Sequence, residues 1–129
     1  MEEATTLPTG QPTMRLLARP TDTNASGDIF GGWIMSQVDL AGSIEASRYA
    51  RNRVVTVAVN SFHFKKPVYV GDLISCYASI KKVGRTSITV FVEVYAERNI
   101  KEVTCIKVTE AILTFVIIDD LGNPIGVNK

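Results

Sequence analysis

The chain has 129 residues, of which 46% are hydrophobic and 21% charged, and its formal net charge at neutral pH is +1. This balance fits one globular domain with one core and excludes a disordered chain. Acidic and basic residues are interspersed, so no basic stripe marks a nucleic-acid surface, and no apolar run is long enough to cross a bilayer.

Residues 1–12 are rich in Glu, Thr, Pro and Gly and read as a flexible tail ahead of a single domain over residues 13–129. Glu2-Glu3 directly after Met1 leaves no apolar leader, so the expected location is the cytoplasm. A first short strand is expected over Thr13 to Ala18, closed at Arg19-Pro20 because the residue before proline prefers extended backbone. The stretch from Thr21 to Gly31 is a polar loop of Asp, Asn, Ser and Gly, with Asp28 or a neighbour placed to cap a helix. That helix runs from about Gly32 to Arg51, roughly 30 Å at 1.5 Å per residue. It is apolar around most of its circumference, so its own sheet must cover one side and something else, such as a second subunit, another.

Four strands follow. Val54 to Phe64, Leu73 to Val83, Ile88 to Ala96 and Val103 to Ile118 alternate with period two and are rich in β-branched residues. The short connection at Gly84-Arg85 favours an antiparallel hairpin. One strand, one long helix and four strands give an α+β architecture, a curved antiparallel sheet around a central helix. Cys76 and Cys105 lie inside strand patterns, not CxxC pairs, and read as small buried hydrophobes.

Asp39 is the residue most in need of an account, because a carboxylate inside an apolar helix is costly unless it is paired or used. A narrow polar strip, or an arginine across an interface, would explain it structurally. Ser43 lies at i+4 on the same face and would help hold a water there. Gly31-Gly32 opens the helix, and its free N–H groups at the positive end of the helix dipole suit a developing oxyanion. Asn24 offers an amide able to polarise a carbonyl, or simply a turn-forming side chain. His63, the lone histidine, lies on the opposite strand face from Phe62 and Phe64, and no serine nucleophile elbow accompanies it. No P-loop, dinucleotide fingerprint or metal-ligand spacing is present, so neither cofactor nor metal is expected.

The run Asp22-Thr23-Asn24-Ala25-Ser26-Gly27-Asp28-Ile29-Phe30-Gly31-Gly32-Trp33-Ile34-Met35-Ser36-Gln37-Val38-Asp39 resembles the signature of the YciA-type acyl-CoA thioesterases, a hotdog-fold family. Arg53 to Val59, Lys66-Pro67 with Val70-Gly71-Asp72, and Val83-Gly84-Arg85-Thr86-Ser87 resemble that family in the same order, over about Leu16 to Asp119. The resemblance implies hydrolysis of acyl-CoA to free acid and coenzyme A. It implies dimers joined edge to edge, assembled as hexamers, with active sites at the dimer interface. It places Asp39 as general base or nucleophile, Asn24 of the facing subunit on the thioester carbonyl, and the Gly31 and Gly32 amides on the oxyanion. Ser43 matches a hydroxyl position that assists the water in related enzymes. Coenzyme A phosphates would meet Arg85, Thr86, Ser87, Lys65 and Lys66, and Val57, Ala58, Val59 and Asn60 would border the pantetheine tunnel. Two other readings compete. A hotdog hydratase or dehydratase would need a catalytic histidine that the loop and helix lack, and an acyl-CoA sensor would need a partner domain that the short N-terminal stretch does not supply.

Overall fold

The structure is a computed structural model in which residues 4–127 are described; of the expected tail and domain, residues 1–3 and 128–129 lie outside that range. The elements in chain order are β1 (Met14–Leu17), α1 (Gly31–Ala50), β2 (Arg53–Phe64), β3 (Leu73–Val83), β4 (Ser87–Arg98) and β5 (Thr104–Ile118). The expected order is therefore the observed one, with the helix beginning and ending one residue earlier than the sequence pattern suggested.

All pairings are antiparallel, and the sheet order is β1-β3-β4-β5-β2. The two strands that flank the helix in sequence thus become the two edges of the sheet. The hairpin expected at Gly84 joins β3 to β4, closed by the Gly84 N–H donating to the Ser87 carbonyl at 2.8 Å. Gly71, with φ of +91°, turns the chain into β3 and donates its N–H to Ala18 beside β1. Thr5 donates its N–H to the Cys105 carbonyl at 2.8 Å, on β5 beyond the last β2 pair at Thr109.

The helix lies across one face of the sheet. Val38, Ala41 and Ala46 are fully buried against alternate residues of three strands, among them Ile74, Val90, Val92, Val94, Leu113 and Phe115. Burying each of the valine, isoleucine, leucine and phenylalanine side chains contributes roughly 1.5–3 kcal/mol. Gly42 lets the helix settle this closely, because a Cβ there would stand 2.9 Å from Phe115 Cζ. The second cover that the apolar helix called for is not supplied within one protomer. Met35, Leu40 and Tyr49 of α1 remain exposed, as do Val55, Val57 and Val59 of the neighbouring edge strand β2.

Candidate functional site

The loop before the helix is shaped by Asn24. Its side-chain oxygen accepts from the N–H groups of Ser26 (2.9 Å) and Asp28 (3.2 Å), and its own N–H donates to the Asp28 carbonyl. This is the turn-forming role, yet it leaves the Nδ2 group outward with no acceptor among the described residues. Asp28 does not cap the helix: the N-cap is Phe30, in extended backbone and with no side-chain cap. The Phe30 carbonyl takes the N–H groups of Trp33 and Ile34. The N–H groups of Gly31 and Gly32 have no acceptor among the described residues, as expected of the first turn of an uncapped helix. Close approach at these glycines is to aromatic rings, since a Cβ on Gly31 would lie 3.0 Å from Phe64 Cζ and one on Gly32 3.3 Å from the Phe30 ring.

Asp39 sits half-buried where α1 meets β2. Thr56, exposed on the face of β2 that meets the helix, donates its hydroxyl to Asp39 Oδ1 at 2.5 Å, a short bond. Ser43 is not that partner. Its hydroxyl folds back to the Leu40 carbonyl at 2.8 Å, as Ser36 does to Trp33 and Ser47 to Ile44. A serine inside a helix commonly satisfies itself in this way, which commits the hydroxyl proton and leaves its oxygen able to accept from a water.

Beside Thr56 the edge strand is irregular. Register shifts fall between Thr56 and Ala58 and between Val59 and Ser61, so Val57 and Asn60 are bulged residues. Asn60 accepts the Thr114 hydroxyl at 2.6 Å. Bulges re-aim side chains and interrupt pairing at a sheet edge, and here both lie within the Val57–Asn60 segment.

The basic candidates do not converge within one protomer. Lys65 and Lys66, just past β2, line a cavity of about 280 Å³ with Gly31, Phe64, Pro67 and Val68 at the N-terminal end of the helix. Lys65 pairs with Glu110 at 3.1 Å, while Lys66 forms no ion pair among the described residues. Hydrogen bonds from Lys107 and Lys65 hold the Glu110 carboxyl below its ordinary range. Burial pulls the Lys107 ammonium down, but its bonds to Glu110 and Glu93 more than offset this and leave it raised. Arg85, Thr86 and Ser87 stand at the other end of the sheet, where Arg53 pairs with Ile118. The Arg85 and Thr86 carbonyls accept from Val127 and Ile117. The 12 residues of β2 separate the two groups, about 35 Å at strand spacing. His63 is exposed, in register with Glu110, on the face away from Phe62 and Phe64, whose ring centroids are 4.7 Å apart.

A family model for the thioesterase superfamily matches residues 26–103, which span the helix and the first strands after it. The acyl-CoA thioester hydrolase YciA of Salmonella typhimurium is 47% identical over 119 residues, covering 91% of this chain and 90% of the relative. The chain belongs to the YciA-type acyl-CoA thioester hydrolases. Solved structures agree. A hexameric broad-specificity acyl-coenzyme A thioesterase superposes with a TM-score of 0.89 at 47% identity, covering 96% of this chain and 85% of that one. A hexameric hotdog-fold thioesterase of Campylobacter jejuni does so with a TM-score of 0.87 at 45% identity, covering 92% and 91%. The α+β reading is thus the hotdog fold of this family.

Within this family member, Thr56 is the site residue that sequence reasoning passed over. Its signal was small: one threonine among the valines of β2, inside a pattern that already read as a strand. Among the described residues no helix is long and apolar enough to cross a membrane.

Proposed function

We propose that the protein hydrolyses acyl-CoA thioesters to a free carboxylic acid and coenzyme A, at a site shared by two subunits of a dimer joined through their β2 edges. The observation that carries this reading is the Asp39 carboxylate, held by Thr56 at an open, bulged edge strand. Membership among acyl-CoA thioester hydrolases and the hexameric thioesterase relatives support it.

With Oδ1 occupied by Thr56, Asp39 Oδ2 has no hydrogen-bond partner among the described residues and acts as general base. It takes a proton from water, and the water oxygen attacks the thioester carbonyl carbon. The carbonyl oxygen becomes an oxyanion, which the Gly31 and Gly32 N–H groups and the Asn24 amide stabilise. Collapse breaks the C–S bond, and the proton held by Asp39 passes to the coenzyme A sulfur. A thioester needs no stronger nucleophile than a positioned water under a fixed set of donors.

The spacing favours a site built from two subunits. Gly31 and Asp39 are eight residues apart on one helix, about 12 Å along its axis, too far for both to serve one carbonyl. Asn24 belongs to the Gly31 end through its ties to the Asp28 loop. The donors that meet an acyl group at Asp39 therefore come from the facing subunit. Antiparallel apposition of two β2 edges carries the Lys65–Lys66 end of one subunit to the Arg85 end of the other, bringing both basic groups to a polyanionic coenzyme A. The exposed Val57, Val59, Leu40 and Met35 are covered by the same contact. Three such dimers form the hexamer.

The test is hydrolysis of an acyl-CoA panel from acetyl to palmitoyl, followed by thiol release, with Asp39→Asn alongside. Turnover is expected in the wild type and a fall of about 10²-fold or more in the variant. A variant with near-normal rate removes Asp39 from the mechanism.

A further inference from the structure

Where β1, the loop before β3 and the β4–β5 hairpin tip meet, an apolar surface remains unexplained by the site. The β4–β5 hairpin tip carries Ile100, fully exposed, and Val103, 60% exposed. Together with Leu17 of β1 and Leu73 of β3 these residues line a groove of about 350 Å³. Tyr69 and Val70, in the loop leading to β3, add exposed surface beside it. Exposed apolar patches of this kind on a folded chain mark contact surfaces. The corner is also held firmly. Arg98 pairs with Asp72 at 2.8 Å, donates to the Pro67 carbonyl at 3.1 Å, and stacks over the Tyr69 ring at 4.6 Å. The loop carrying Tyr69 and Val70 is therefore fixed against the hairpin, and a partner docking there finds a preformed surface.

The β2 contact does not reach this corner. Leu17 lies on β1, the edge opposite β2 in a five-stranded sheet, four strand spacings or about 19 Å away. The tip also projects past the end of β2, whose last pair with β5 is at Thr109 while β5 starts at Thr104. An isologous two-fold contact closes at two subunits, so six require a second, different interface. We infer that the apolar corner formed by Leu17, Tyr69, Val70, Ile100 and Val103 is the surface by which dimers of this chain join one another into the hexamer. The inference rests on the oligomer proposed above and assigns its second interface to another copy of this chain.

Light scattering after size exclusion tests it on the full-length chain, comparing wild type with Ile100→Asp/Val103→Asp and, separately, Leu17→Glu on the other side of the groove. Wild type is expected as a hexamer and both variants as dimers, about a threefold fall in mass. Hydrolysis per subunit should persist in both, because the corner lies away from Asp39 and Asn24. Leu17→Glu keeps the question decidable if the hairpin variant fails to fold. Hexamers persisting in folded variants would overturn the assignment, and so would a direct fall to monomers, which would make the corner the dimer contact itself. A wild type that is dimeric throughout would instead remove the hexamer, leaving the two-subunit site standing.

Discussion

Replacing Thr56 by valine removes one hydroxyl and keeps the shape of the side chain and its preference for a strand. The lost contact is the 2.5 Å bond to Asp39 Oδ1. A hydrogen bond to a charged group contributes roughly 1.5–3 kcal/mol, and a pair half-open to water belongs at the lower end. If that bond orients the carboxylate for attack, losing about 1.4 kcal/mol slows the chemical step about tenfold. Thr56 acts through Asp39 and not on the substrate, so kcat should fall while KM changes little, and Thr56→Ser should restore most of the rate. Initial rates of thiol release across acyl-CoA concentrations measure both constants. Burial pushes the Cys76 thiol up to about 12 and raises that of the half-buried Cys105 as well, so the protein's own two thiols are measured in a substrate-free blank. A Thr56→Val rate within twofold of wild type, with Asp39→Asn inactive, would mean that other groups aim the carboxylate. A loss beyond about 10³-fold would mean that the hydroxyl itself meets the reacting atoms.

Two stability predictions follow from the packing of the core and of β5. Gly42→Ala places a Cβ 2.9 Å from Phe115 Cζ and 3.0 Å from Cε1, in a fully buried core. Overpacking of about 2 kcal/mol outweighs the roughly 1 kcal/mol of helix preference gained; the urea midpoint should drop, and an unchanged or raised midpoint would show that the ring yields freely. Hydrogen bonds from Lys107 and Lys65 depress the folded pKa of Glu110. Its contribution is therefore complete above the ordinary glutamate value of about 4.3 and is lost as pH falls through the lower, folded value. Melting temperatures from pH 6 to pH 3 should fall less steeply for Glu110→Gln than for wild type, from a lower plateau; parallel curves would detach Glu110 from acid stability.

The fold was legible because its signals are local and repeated. Period-two alternation located β2 to β5, and a long apolar run without proline located α1. Sheet order was not legible: nothing in the sequence says that β3 crosses to lie beside β1, a choice made by long-range packing against one helix face. The exposed Leu40 and Met35 bear out the inference that an apolar helix needs a second cover, which one protomer does not provide. Side-chain direction was the hardest to read. Helical spacing put Ser43 on the face of Asp39 but could not reveal that its hydroxyl would bond its own backbone, a competition decided over one turn. Thr56 became visible only when tertiary structure brought β2 against the helix, 17 residues away in sequence.

The same geometry makes the shared site open to a test that needs no partner structure. In one chain Asn24 and the Gly31–Gly32 amides lie at the start of α1 and Asp39 about 12 Å farther along it, and under the proposed mechanism each active site combines one subunit's carboxylate with the other's donors. Two inactive chains, Asn24→Ala and Asp39→Asn, then complement each other when co-expressed. In a mixed dimer the Asp39 of the first chain faces the Asn24 of the second, and that one site is intact; its companion carries both lesions. Random pairing gives mixed dimers half the time with one good site in two, so about a quarter of wild-type activity should return. Each variant alone stays near background, and differently tagged subunits confirm mixing through tandem purification. Were Asn24 and Asp39 of the same chain to serve one substrate, every site in every mixed dimer would keep one lesion. Activity would then stay at background however thoroughly the subunits mixed.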